Sequence, residues 1–325
     1  MSSDSLAAKE DFAAVRRRVL VFSLLGLLTM VVTAALFERR SASPQSAAQA
    51  LLQAAQNQGS AIGWDLVPAM IVIGFGAGLL AGIIGMGGGV LKVSGMLVIF
   101  GFDIFFARAI SVVTMFFSSA SALWQYVKED LVLWDYARPM ICLALPAAVF
   151  AAAFGNYLTG ASLTHLFGLF CIFLAFNTLA LIFADPAERI MAQQFKTRTR
   201  GTQGYRCAAI GAAHGGLCGL LGISGGVIAT PMQQIALQVP LRHAIANTLL
   251  TSTVVTAVAS VVVLWIGAER GDFSISDVVF VDLFMGSGAA AAAPLGAKLG
   301  ERCNVTALRL LFVTLTLAAG VSIVF

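Results

Sequence analysis

Two stretches of this chain read almost alike: Gly78-Leu-Leu-Ala-Gly-Ile-Ile-Gly-Met-Gly-Gly-Gly-Val90 and Gly215-Gly-Leu-Cys-Gly-Leu-Leu-Gly-Ile-Ser-Gly-Gly-Val227. Seven of the thirteen positions are identical, at an offset of 137 residues. Self-similarity at a fixed spacing signals a duplicated structural unit. Working outward, Ala109-Ile110 answers Ala244-Ile245, Phe154-Gly155 answers Leu295-Gly296, and Phe170 and Phe312 fall near the end of each copy. Each unit is therefore a Gly-broken apolar segment followed by three ordinary apolar spans. A polar loop, Asp185 to Arg206, joins them.

The medium in which those spans fold follows from composition. Of 325 residues, 59% are hydrophobic and only 11% are charged, 20 basic and 16 acidic. The mean hydropathy is +0.90. Soluble domains carry roughly 25% charged residues, so soluble enzymes, secreted disulfide scaffolds and disordered chains are excluded. No Asp, Glu, Lys or Arg occurs from Leu66 to Leu91, Pro139 to Ala184, Cys207 to Leu241 or His243 to Ala268. A helix needs about 20 apolar residues to cross the hydrocarbon core, and each window holds one or two crossings. Barrel strands would alternate polar and apolar residues, which runs such as LFGLFCIFLAFNTLALIF do not. Five scattered cysteines without a CxxC pair, and three histidines, give no zinc or iron–sulfur pattern. No nucleotide-binding or nucleophile–base motif is present either, so the chain reads as a transporter rather than an enzyme, with no cofactor and no nucleic-acid partner.

The organisation predicted is as follows. Residues 1–18 form a cytoplasmic amino terminus, and 19–37 form an anchor helix, with a signal peptide ending near Ala48-Gln49-Ala50 as the alternative. Residues 38–63 are an external linker, 64–184 the first transport repeat, 185–205 a cytoplasmic loop and 206–325 the second repeat. Glycines at 78, 82 and 85 alone would suit close helix packing. Three consecutive glycines at 87–89 exceed that need and weaken helix continuity. The positive-inside rule decides whether each broken segment crosses or turns back. If both are re-entrant, 15 of the 20 basic residues are cytoplasmic, Arg39, Arg40, Arg108 and Arg270 are external, and Lys92 lies within the membrane. The expected fold is thus an all-α integral membrane protein. It has two inverted-topology repeats, each a Gly-broken re-entrant helical hairpin plus three transmembrane helices, with one N-terminal anchor helix ahead of them. Secondary transporters recurrently use this design, with substrate held near the midplane.

With Gly85-Met86-Gly87-Gly88-Gly89 in one half and Gly222-Ile223-Ser224-Gly225-Gly226 followed by Pro231 in the other, the chain resembles the TauE/SafE family of sulfite and organosulfur-anion exporters over roughly residues 66–325. It departs from that pattern at Lys92, Ser94 and Ser224. The resemblance implies a multi-pass protein of the bacterial inner membrane exporting sulfite, sulfoacetate or a related organosulfonate, with protons as a candidate coupling ion. An anion uptake permease or channel, or a membrane scaffold, stands as the alternative. The sequence leaves the oligomeric state open.

Such an anion must exchange its water for fixed donors, since an isolated buried charge is very costly. A broken helix supplies the unpaired N–H groups of its second half, with the positive end of the dipole behind them. Gly87, Gly88 and Gly89, with Ser224, Gly225 and Gly226, are accordingly the first-choice site. Ser111 and Thr114, and Asn247 and Thr248, could complete the cage, or could simply bond between helices. Lys92 would attract the anion, or would snorkel to a headgroup. His214 reads as a packed neutral histidine with a proton relay as alternative, and Asp282 as either a proton-coupling or a solvated carboxylate. Thr251, Ser252, Ser118 and Ser119 read as packing residues.

Overall fold

The computed structural model describes residues 64–85, 88–183, 204–300 and 305–325, all of whose regular elements are helical. The expected segments 1–18, 19–37 and 38–63, and all but the end of 185–205, lie outside the described residues, as does Gly87. After a short 3₁₀ turn, Trp64–Leu66, the first unit holds α1 (Val67–Ile84), α2 (Gly89–Val98), α3 (Ile104–Lys128), α4 (Trp134–Gly155) and α5 (Gly160–Phe183). The second holds α6 (Gly204–Leu221), α7 (Gly226–Leu237), α8 (Leu241–Arg270), α9 (Ile275–Leu299) and α10 (Val305–Val324). Six of these, α3, α4, α5, α8, α9 and α10, are long and apolar enough to cross a membrane.

Local chemistry sets the ends. Pro68 opens α1 in its first turn, where a missing N–H costs nothing. The Asp103 carboxylate accepts the Phe105 N–H at 2.8 Å and caps α3. Gly271, at φ 73°, closes α8. The outer surface is apolar: Val72, Phe150, Phe176, Val261 and Leu283 are exposed, as suits hydrocarbon rather than water. All four tryptophans are exposed and sit at helix ends, Trp64 and Trp265 at one end of the bundle, Trp124 and Trp134 at the other. Indole rings at both ends match the aromatic belts of membrane–water interfaces.

The two broken segments are hairpins. Helix α1 ends at Gly85, whose φ of 71° no branched side chain would tolerate, and α2 begins after Gly88 at φ 61°. The chain then doubles back, because Gly88 rests on the Ala77 carbonyl and Gly95 on the Ile73 side chain. In the second unit, Gly222 (φ 68°) ends α6 and Gly225 rests on the backbone of His214.

Packing exchanges equivalent elements between units. Gly74, Gly78 and Gly82 of α1 lie against the backbone of Met285, Ala289 and Ala293 of α9; Gly211, Gly215 and Gly219 of α6 lie against Met140, Ala144 and Ala148 of α4. Gly78 and Gly82 thus serve close packing, while Gly85 and Gly88 make the turn. These ascending pairs run parallel. Helix α3 also runs with α1, since the Tyr126 hydroxyl near its end donates to the Gly82 carbonyl at 3.0 Å. Helix α4 opposes α3, since Arg108 early in α3 meets Ala152 late in α4. Helices α1 and α6 therefore run in opposite directions through the bundle.

Candidate translocation site

The two hairpin turns touch. A Cβ at Gly89 would meet Ile223 Cα at 3.0 Å, Ser224 N at 3.1 Å and Met115 Sδ at 2.7 Å. One at Gly226 would meet the Gly85 carbonyl at 2.4 Å and Thr248 Cγ2 at 2.7 Å. Each turn is therefore a wall for the other, and at Gly89 and Gly226 glycine is required by contact. Ser111 joins this group, its hydroxyl facing the Gly89 carbonyl at 3.5 Å.

The start of α7 spends its donors within the turn. In α7 the Gly226 N–H donates to Ser224 Oγ at 3.2 Å, and the Val227 and Ile228 N–H groups donate to the Ser224 and Gly225 carbonyls at 3.5 and 3.1 Å. The Ser224 hydroxyl thus caps the first N–H of α7. It is linked through Ser252 Oγ (3.1 Å) to His214 Nε2 (3.1 Å), a buried chain ending at an Nδ1 with no partner. Ser252 is more than the packing residue its sequence context suggested. Ser119 and Thr251, by contrast, bond back to carbonyls of their own helices, Met115 and Asn247. In α2, Lys92 lies one turn from the helix start, its N–H donating to the Gly88 carbonyl at 3.2 Å.

Lys92 does not snorkel. None of its surface is exposed, and its ammonium faces Ser118 Oγ at 3.5 Å and the charge of Asp282. Asp282 is buried rather than solvated; it accepts the Thr114 hydroxyl at 2.5 Å and folds over Gly286, whose missing side chain makes the room. Lys92, Ser118, Thr114 and Asp282 thus tie α2, α3 and α9 together beside the turns.

Asn247 and Thr248 belong to a separate network. Asn247 Oδ1 accepts the Leu133 N–H at 2.8 Å, and its Nδ2 donates to Gln233 Oε1 at 3.1 Å. Thr248 Oγ1 accepts from Gln233 Nε2 (2.9 Å) and Thr230 Oγ1 (3.1 Å). These side chains spend their hydrogen bonds on joining α7, α8 and the start of α4. Gln233 and Thr230 are sites the sequence reading did not single out, although a buried glutamine in an apolar helix was a signal for them.

Arg108 is the second departure. Counted among external basic residues, it is fully buried at the tip of the second hairpin, where Gly222 rests on its Cα and Cγ. Among the described residues, no group of three or more His, Cys, Asp or Glu side chains could hold a metal ion.

A helical bundle with an apolar exterior, aromatic belts, paired broken helices and ionisable side chains buried between them defines a multi-pass membrane transporter. The comparisons agree. The family model described as "Sulfite exporter TauE/SafE" matches residues 70–323, and the chain belongs to that family. Among curated proteins it is 29% identical over 252 residues to "Probable membrane transporter protein MamO" of Magnetospirillum gryphiswaldense, covering 70% of this chain and 40% of that protein. Its counterpart in Paramagnetospirillum magneticum is 28% identical over 259 residues, covering 72% and 40%. A "probable membrane transporter protein" of Methanocaldococcus jannaschii is 28% identical over 192 residues, covering 56% and 66%. The match thus spans less than half the length of either MamO protein. No solved structure matches the chain.

Proposed function

We propose that this chain is a secondary carrier of the bacterial inner membrane that exports a small sulfur-containing anion, sulfite, sulfoacetate or a related organosulfonate, bound where the two glycine turns meet. The observation that carries this reading is the mutual contact of the turns, Gly89 on Ile223 and Ser224, Gly226 on Gly85, with the Lys92 ammonium buried one turn away. The turns are so close that an anion is admitted only if the hairpins separate, which is the movement an alternating-access carrier requires. An arriving anion displaces the Ser224 hydroxyl from the start of α7 and competes with Asp282 for Lys92. A carboxylate that loses its cation in a buried setting takes up a proton, so Asp282 is the natural place for proton coupling. The opposite directions of α1 and α6, with 15 of 20 basic residues on one side, support inverted repeats with the 185–205 loop in the cytoplasm.

Flux of labelled sulfite and sulfoacetate from proteoliposomes, with and without a proton gradient, tests the proposal. Saturable, gradient-sensitive export of at least one of them is expected; no flux of either above protein-free liposomes refutes it.

A further inference from the structure

The tip of the second hairpin rests on a cation that forms no ion pair among the described residues. Arg108, in the second turn of α3, is wholly buried. Its Nη2 donates to the Ala152 carbonyl at 2.9 Å, near the end of α4. Its Nε and Nη1 have no hydrogen-bond partner. Nη1 points at the end of α4, lying 2.7 Å from where a side chain on Gly155 would begin. The next residue, Asn156, is 5% exposed, and its Nδ2 also lacks a partner. Among the described residues no carboxylate lies within ion-pair distance of Arg108; the acid whose charge reaches it, Asp272, is 3.7 Å from Arg270.

Buried donors are almost always satisfied, and a buried guanidinium with unmade hydrogen bonds is a costly arrangement for a fold to keep. Here three N–H bonds of a guanidinium, and the Nδ2 of the residue that follows Gly155, are left without a hydrogen-bond partner. We propose that Arg108 and Asn156 form a second anion subsite, separate from Lys92, that accepts a small oxyanion at the end of the bundle where α3 begins. Gly155 lets the guanidinium reach the end of α4, and Gly222 lets the hairpin tip close over the stem of Arg108. Lys92 meets α3 at Ser118, ten residues further on and about 15 Å along the helix, so the two cations would mark successive positions along one path. The ligand class rests on the transport reading; the donor deficit does not.

The test uses the full-length protein in detergent, with sulfite and sulfate as probes, comparing wild type, Arg108→Gln, Arg108→Lys, Asn156→Leu and Lys92→Met. Thermal midpoints are measured with and without probe, and affinity by calorimetry. Without probe, Arg108→Gln is expected to melt above wild type, because an unpaired buried charge is gone. With probe, its affinity at the Arg108-dependent site should fall about 10- to 100-fold, the span of a charge-assisted hydrogen bond. Asn156→Leu should lose roughly 3- to 10-fold on the same grounds, Arg108→Lys should retain part of the binding, and Lys92→Met should leave this site intact. Should Arg108→Gln fail to fold, Asn156→Leu, which breaks no bond to the protein through Nδ2, decides the matter. Unchanged affinity in Asn156→Leu and Arg108→Gln overturns the subsite, whatever Lys92→Met does. Arg108-dependent binding in a protein that moves no sulfur anion would uphold the subsite and sink the export reading. No binding of either probe to wild type overturns the subsite.

Discussion

Gly215→Ala and Gly216→Ala make the same covalent change at adjacent positions of α6 and should act with opposite sign. At Gly215 the new Cβ would begin 2.0 Å from the Ala144 carbonyl oxygen and 2.7 Å from its carbon. A carbon–oxygen contact needs roughly 3.3 Å, so α6 and α4 must part by about 1.3 Å there. The obstructing atoms are backbone and cannot swing aside, which puts the cost near the top of the overpacking range, about 3 kcal/mol. The higher helix propensity of Ala returns about 1 kcal/mol, for a net loss of about 2 kcal/mol. At Gly216 nothing lies within 4 Å, so only the propensity gain of about 1 kcal/mol remains. The pair should therefore differ by about 3 kcal/mol, or roughly 4 °C in thermal midpoint for a chain of this length. Tryptophan fluorescence melts in one detergent measure this directly. Transport should fall with Gly215→Ala, because a displaced α6 carries Ser224 away from Gly89, and persist with Gly216→Ala. Equal midpoints for the two variants would refute the close approach of α6 and α4 and the exchange of elements built on it.

Lys92→Met should weaken anion affinity about 10- to 100-fold while Lys92→Arg keeps much of it; equal affinity in all three proteins removes Lys92 from the site. Gly225→Leu should abolish transport while leaving the protein inserted, since its Cβ would begin 2.2 Å from His214 Cα, and normal flux would show that the turn is not tight. Asn247→Ala strands the Leu133 N–H and Gln233 Oε1 and should cost about 1–3 kcal/mol in denaturant titration; a loss under about 0.5 kcal/mol would contradict the network. Arg198→Cys should resist an impermeant thiol reagent applied to intact cells, and labelling from outside would reverse the proposed orientation.

The parts of this fold that sequence made legible are those carried by local rules. Gly85, Gly88 and Gly222 adopt positive φ, a need that glycine runs announce. The charge-free windows 139–184 and 243–268 became spans because length and hydropathy decide that alone, while 66–91 and 207–241, broken by glycine, became hairpins. Which helix faces which was not legible: Met285, Ala289 and Ala293 look like any small-residue stripe until α1 is laid against them. The burial of Arg108 was not legible for a related reason. Counting charge treats arginine as a marker of the aqueous side, whereas this one is covered by Gly222, Leu220 and the end of α4, contacts more than forty residues away in sequence. Gln233 escaped likewise, and the choice between a buried and a solvated Asp282 stayed open, since burial of a single polar side chain within an apolar helix is decided by partners on other helices.

The exchange of helices between units also governs the order in which the protein can be built. Helix α1 leaves the ribosome early, yet the surface that covers Gly74, Gly78 and Gly82 begins at Met285. For the time it takes to synthesise about two hundred further residues, roughly 10–40 s at 5–20 residues per second, the glycine face of α1 waits in the bilayer without its mate. Helix α6 has no such delay, because Met140, Ala144 and Ala148 are already inserted when it emerges. Assembly is therefore asymmetric in time although the product is nearly symmetric in space. The second hairpin docks as it is made, and the arrival of α9 is the step that locks the first.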